Sequence, residues 1–222
     1  PHRDGVAVSL TCAEGAPEIV GSDVLLAVGR RPNTDDLDLD RAGVVTDAQG
    51  FIQVDDGLAT NVPGIWAVGE CNGHGAFTHT AYNDFEIVAA NLLDGEHRRL
   101  SERVSGYALY IDPPLGRVGI GEAEARKRGR PYLVGKRPMT KVGRAVEKGE
   151  TQGFMKVIVD AETKAILGAA ILGVEGDEAI HGIIDMMSVG ATATQLQRTV
   201  PIHPTVSELI PTLLSEARAP EA

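Results

Sequence analysis

The chain has 222 residues, 43% of them hydrophobic and 23% charged, with a formal net charge of −10. That apolar content excludes a disordered chain, and the length supplies a core for one large or two ordinary domains. The negative balance argues against nucleic-acid binding, which needs a basic face, and no apolar run approaches the roughly 18–20 residues that span a bilayer.

The first residues, Pro1-His2-Arg3-Asp4-Gly5, match neither a signal nor a transit peptide. With no initial Met, we expect an internal piece of a longer chain. Val6, Val8 and Leu10 alternate with small or polar residues, the half-buried strand pattern. Glu14-Gly15-Ala16-Pro17 is a turn signal, and Val24–Val28 is a short apolar run expected to be a buried strand. Cys12 and Cys71 are the only cysteines, far apart and without metal-ligand spacing, so a reducing cytoplasm is expected.

Residues 35–58 are acidic and loop-like, with a strand expected at Phe51–Val54. Asp35, Asp36, Asp38 and Asp40 lack the glycine and order of a calcium loop, so no metal site is expected. A second short apolar strand is expected at Ile65–Val68, closed by Gly69-Glu70. A Gly-rich turn, Asn72–Gly75, and a helix to about Leu93 follow. Thr78 or Thr80 is the expected cap, and Phe85, Val88, Ala89, Leu92 and Leu93 are the expected apolar face. The polar link Asp94–Arg99 lies in a compositional shift over 94–106, where we place a domain boundary.

Beyond it, a charged helix is expected over Glu122–Arg128 and a strand over Tyr132–Val134. Phe154–Val159 and Ile166–Leu172 read as a hairpin. Asp177 is the expected cap of a helix striped by Ile180, Ile183, Ile184 and Met187, ending at Gly190. A last helix after His203-Pro204 buries Val206, Leu209, Ile210, Leu213 and Leu214, bent or restarted at Pro211. The second half therefore reads as α+β, an antiparallel sheet with helices to one side, preceded by partial α/β segments.

Three segments could carry chemistry. The strand–turn–helix at Ile65–Thr80 offers free backbone N–H groups and a helix dipole to an electron-rich ligand, and Glu70 could accept from a ribose or ribitol hydroxyl; it could equally be a solvated strand-end carboxylate. His203 and Glu208 are five apart. A sharp turn at Pro204 would bring the carboxylate back to the imidazole, fixing its tautomer. The competing reading is a capping box from Thr205 to Glu208. The arginines of Gly29-Arg30-Arg31-Pro32-Asn33 either meet a phosphate or form a solvated turn.

Four segments in this order resemble the class I pyridine nucleotide-disulfide oxidoreductases. They are Ala27–Thr34, Thr60–Glu70, Ile111–Gly119 and His203–Glu208. The nearest subgroup resembled is the mercuric-reductase-like, reactive-chlorine-resistance flavoproteins. The resemblance implies that 1–34 is the tail of an NAD(P)-binding domain, 35–100 the C-terminal segment of an FAD-binding domain, and 101–222 a dimerisation domain. It implies cofactor contacts from Gly69, Glu70, Phe77, Thr78, His79, Gly29 and Arg30. It also implies a cis His203-Pro204 bond, and His203 as an acid/base oriented by Glu208 that acts at the partner subunit's flavin and disulfide. The expected cofactors are FAD and NAD(P)H in a full-length parent, and the expected partners are a second copy and a missing N-terminal half.

Glu70 stands where the family usually has Asp. No G-x-G-x-x-G occurs, hence no site for the FAD diphosphate or NAD(P), and there is no C-x-x-x-x-C pair or C-terminal cysteine pair. The chain alone is therefore expected to be inactive. The alternative reading is a non-catalytic dimerisation module whose interface uses the Ile180–Met187 stripe and the Val206–Leu214 helix.

Overall fold

The computed structural model describes residues 5–12, 15 and 17–220. Two compact units are present, Pro1–Phe85 and Glu86–Ala222.

In the first unit, β1 (Val6–Ser9) and β2 (Glu18–Gly21) form an antiparallel two-stranded sheet with Val8 opposite Ile19. Of the intervening turn Glu14–Pro17, Glu14 and Ala16 lie outside the described residues. The Val24–Val28 run is not a strand. It finds no sheet neighbour among the described residues, and Leu25, Leu26 and Val28 are 88%, 80% and 91% exposed. An apolar run becomes a strand only where another backbone takes up its N–H and C=O groups. The same reason reduces the other two expected strands to single bridges, Thr46 with Ile52 and Ala59 with Trp66. Around these bridges Val44, Ile52 and Ala67 form a small core.

Helix α1 (Thr78–Ala89) continues as a wide turn over Ala90–Asp94 and closes at Gly95, whose positive φ of 70° suits glycine. Its buried positions are Thr80, Asp84, Ile87 and Ala90, whereas Phe85, Leu92 and Leu93 are exposed. The expected apolar stripe is thus largely the outer face. Neither threonine caps the helix from outside. Thr78 is its first residue, and the Thr80 hydroxyl accepts from Phe77 N–H at 3.2 Å while donating to Phe77 O at 2.7 Å.

The second unit is built on a five-stranded antiparallel sheet. Its strands are β3 (Gly106–Leu109), β4 (Leu115–Gly119), β5 (Tyr132–Pro138), β6 (Phe154–Asp160) and β7 (Ile166–Leu172), in the order β3-β4-β7-β6-β5. The charged helix α2 (Glu122–Lys127) follows β4, and α3 (Gly143–Lys148) lies between β5 and β6. After β7 come α4 (Gly176–Ala179), α5 (His181–Ser188), α6 (Ala193–Leu196) and α7 (Ile210–Ser215). Asp177 sits inside the first turn of α4 rather than capping it; Glu175 is the cap residue. Pro211 is the second residue of α7, which follows a 3₁₀ turn, so its missing N–H falls in the first turn and costs no helix hydrogen bond.

One face of the sheet carries the main core. Val118, Met155, Val157 and Ile171 pack with Ile180, Ile183, Ile210 and Leu213. Two glycines set how closely helices approach. A Cβ on Gly116 would lie 2.2 Å from Gly176 O, and one on Gly135 would lie 2.4 Å from Leu213 O. Ile180 and Ile183, offered above as interface residues, are buried in this chain's own core, as are Val206, Ile210, Leu213 and Leu214. They satisfy their apolar surface internally and leave nothing for a partner.

Candidate active-site segments

His203 is held by what surrounds it in sequence. The His203-Pro204 peptide is cis, and Val206 and Ile210 anchor the following turn in the core. The turn brings His203 Nδ1 to 2.7 Å from Glu208 Oε2. The two competing sequence readings each hold in part. Thr205 Oγ1 accepts from Glu208 N–H at 3.2 Å, half a capping box, and donates to Ile202 O at 2.8 Å. The Glu208 carboxylate goes to the imidazole instead of back to the Thr205 backbone.

Burial divides the pair. The Glu208 side chain is 13% exposed and that of His203 is 78% exposed. A carboxylate only accepts, so Nδ1 is the donor nitrogen of this contact, and the rest of the ring is largely exposed. Val200 and Ile202, just before the histidine, are also exposed. This arrangement can carry a proton to or from a group brought to the other ring nitrogen.

In the first unit the Gly-rich turn is tied to α1 by an aspartate. Asp84, 2% exposed, accepts at 2.8 Å both from Gly69 N–H and from Asn72 Nδ2. Asn72 also donates to Ala67 O at 3.1 Å. Sequence reasoning missed both residues. The available signal was Asp84 one helical turn after Thr80, a polar pair flanking the apolar stripe.

Glu70 is engaged. Arg30 Nη1 donates to its two oxygens at 2.8 and 2.9 Å and to Ala76 O at 3.1 Å. That hydrogen bond, and then the carboxylate's charge, holds the Arg30 guanidinium above its already high ordinary value. Arg30 is therefore neither a free phosphate ligand nor a merely solvated turn residue. Gly29, Arg30, Glu70 and Gly73–Ala76 line one cleft of about 630 Å³ with Phe51 and His74. Phe77, Thr78 and His79 follow at the exposed start of α1, where the Phe77 and His79 rings stack at 5.3 Å and 10°. Gly69, at φ 83°, points its N–H at Asp84 rather than into the cleft.

Both cysteines are free thiols, and burial pushes the Cys71 thiol up, away from the reactive thiolate. No helix among the described residues is long and apolar enough to cross a membrane.

The flavin end of an FAD fits the first-unit cleft in chemical terms. Each Glu70 oxygen keeps a lone pair after Arg30 is satisfied, and the cleft-lining turn runs into the exposed start of α1. A diphosphate does not fit the segments present, since they carry no Gly-rich dinucleotide fingerprint.

Residues 106–214 match the family model of the pyridine nucleotide-disulphide oxidoreductase dimerisation domain, and residues 2–84 match a pyridine nucleotide-disulphide oxidoreductase model. The dihydrolipoyl dehydrogenase of Thermus scotoductus is 38% identical over 208 residues, 93% of this chain and 45% of that protein. Dihydrolipoyl dehydrogenase 3 of Haloarcula marismortui is 38% identical over 90% of this chain and 42% of its own length. The structure of the HOCl-induced flavoprotein disulfide reductase RclA from Escherichia coli superposes with a TM-score of 0.85 at 33% identity, covering 96% of this chain and 48% of that one. The chain thus spans less than half the length of these relatives.

Proposed function

This chain belongs to the class I pyridine nucleotide-disulfide oxidoreductases, an FAD- and NAD(P)H-dependent family, and on that premise we propose that it is the proton-handling, dimerising part of such an enzyme. The observation that carries this reading is the 2.7 Å contact between the exposed His203 and the largely buried Glu208. Glu208 holds the imidazole in one tautomer, and Nε2 takes a proton from an attacking thiol and returns it to a leaving one. Val200 and Ile202 are the apolar surface that a second copy covers when His203 is delivered to its site.

FAD, when bound, passes electrons from NAD(P)H to a disulfide acceptor. Glu70 would hold it through its acceptor oxygens at the ribitol, with Arg30 keeping the carboxylate still, and Gly29, Phe77, Thr78 and His79 would contribute to the ring's site. The dinucleotide fingerprint and the redox cysteine pair come from the N-terminal half of the enzyme, and the compartment is a reducing one, the cytoplasm. NADPH oxidation by the purified chain alone is expected to be absent.

The test has two readouts. Light scattering of the purified chain at micromolar concentration should give a dimer; a strict monomer would count against the dimerising role. In the whole enzyme containing this segment, His203→Gln should lower disulfide turnover by roughly 10²–10⁴. Unchanged turnover would remove the acid/base assignment and leave a non-catalytic dimerisation module.

A further inference from the structure

The sheet face opposite the main core is not covered along its whole length. Its register places one row of residues across all five strands. Tyr107 lies opposite Arg117, Arg117 opposite Ala170, Ala170 opposite Lys156, and Lys156 opposite Lys136. Direct cross-strand partners share a face, so three cations stand in line on one side of the sheet. Two residues along each of the three middle strands, on the same face, the neighbouring row is apolar, with Leu115, Leu172 and Phe154 half-buried. The middle strands' members of these rows, Arg117, Ala170, Lys156, Leu115, Leu172 and Phe154, line a cleft of about 430 Å³ together with Ile120 and Glu122.

The charges in this cleft are not balanced. Lys156 is paired with Glu122. Lys136 lies over the Phe154 ring at 4.8 Å. Arg117 has only Tyr107, donating to its hydroxyl at 3.2 Å with the ring 5.8 Å away, and among the described residues no carboxylate is within ion-pair distance of it. A half-buried guanidinium with most of its five donors unused is complementary to an oxyanion. In a chain of net charge −10 this surplus of positive charge is local and specific.

We propose that this cleft binds a medium-chain alkyl carboxylate. The carboxylate meets Arg117 and the chain lies along Leu115, Leu172 and Phe154. A monoanion is favoured over a dianion because, of the two cations lining the cleft, Lys156 is already paired with Glu122 and only Arg117 lacks a carboxylate. The volume is in the range of small-ligand sites, which are apolar clefts with few polar groups fixing orientation. The site lies within the second unit and does not depend on the redox role proposed above.

Decanoate is the probe, titrated into the full chain by calorimetry below its micelle concentration, with decan-1-ol and acetate as comparisons. Saturable decanoate binding is expected. Decan-1-ol, lacking the charge, should bind about tenfold more weakly or worse, and acetate, lacking the chain, should be weaker still. Amide signals of Leu115, Ala170 and Leu172 should shift on saturation. Arg117→Met should weaken decanoate by about tenfold or more, and Arg117→Lys should retain part of it. Ala170→Glu, which sets a carboxylate opposite Arg117, should abolish binding. No saturable binding, equal binding of decanoate and decan-1-ol, or undiminished binding by Arg117→Met would each overturn the proposal. The comparison of the three ligands on the unaltered chain decides it even if a variant fails to fold.

Discussion

Arg30 and Glu70, 40 residues apart in sequence, meet in a bidentate clamp in which one arginine nitrogen reaches both carboxylate oxygens at 2.8 and 2.9 Å. Both side chains are well exposed, 65% and 42%, so the pair orients Glu70 more than it stabilises the fold. Arg30→Met should therefore leave chemical stability nearly unchanged. In the whole enzyme it should weaken FAD retention, because the carboxylate loses its fixed position. Urea denaturation and flavin absorbance after desalting separate the two effects.

Asp84 is a structural linchpin of the Gly-rich turn. Asp84→Ala leaves Gly69 N–H and the buried Asn72 amide without their shared acceptor. The expected cost is about 1–3 kcal/mol for each unsatisfied donor, read from urea denaturation of the first unit by Trp66 fluorescence. Asp84→Asn keeps a carbonyl acceptor and should lose less.

Gly135 is where α7 touches the sheet. Gly135→Ala would place a methyl 2.4 Å from Leu213 O, a backbone atom that cannot rotate away. Destabilisation of about 1–3 kcal/mol is expected, with the denaturation midpoint as the measurement. Gly95→Ala, where nothing lies within 4 Å of the new Cβ, pays only for its positive φ of 70° and should cost less.

The Glu122–Lys156 pair predicts an acid limb. The Lys156 hydrogen bond, partly opposed by burial and aided by the charges of Lys156, Arg126 and Lys136, holds the Glu122 carboxyl below its ordinary value. The folded state then binds this proton less readily than the unfolded state, whose carboxyl titrates near about 4.3. The pair's contribution is complete above that pH and is lost as pH falls through the lower folded value. Lys156→Met should lower stability at pH 7 and flatten the loss below about pH 4, seen as a smaller fall in Tm than in the unaltered chain.

Much of the second unit was legible in the chain order. The hairpin Phe154–Leu172, the helix at Glu122 and the restart at Pro211 depend on residues adjacent in sequence, and each formed where its turn or breaker residues stand. The His203–Glu208 pair was legible for the same reason, since a turn at Pro204 needs only five residues to close. Burial was less legible. The stripe Phe85, Val88, Leu92 had the right period for a buried face, yet Thr80 and Asp84 are buried instead, because the Gly-rich turn offers hydrogen-bond donors that only a polar side chain can satisfy.

The sequence by itself determined the hairpin Phe154–Leu172, the charged helix at Glu122, the break before the last helix, and that His203 has a carboxylate within reach. Whether Val24–Val28 is a strand was decided elsewhere, since pairing needs a second backbone that local pattern cannot supply. The same holds for the clamp of Arg30 on Glu70 and for the row Arg117, Ala170, Lys156, Lys136. These residues are far apart along the chain and share no motif. Only register and loop closure bring them onto one face, because the energy that fixes a sheet's register lies in its core and not in the side chains that point away from it.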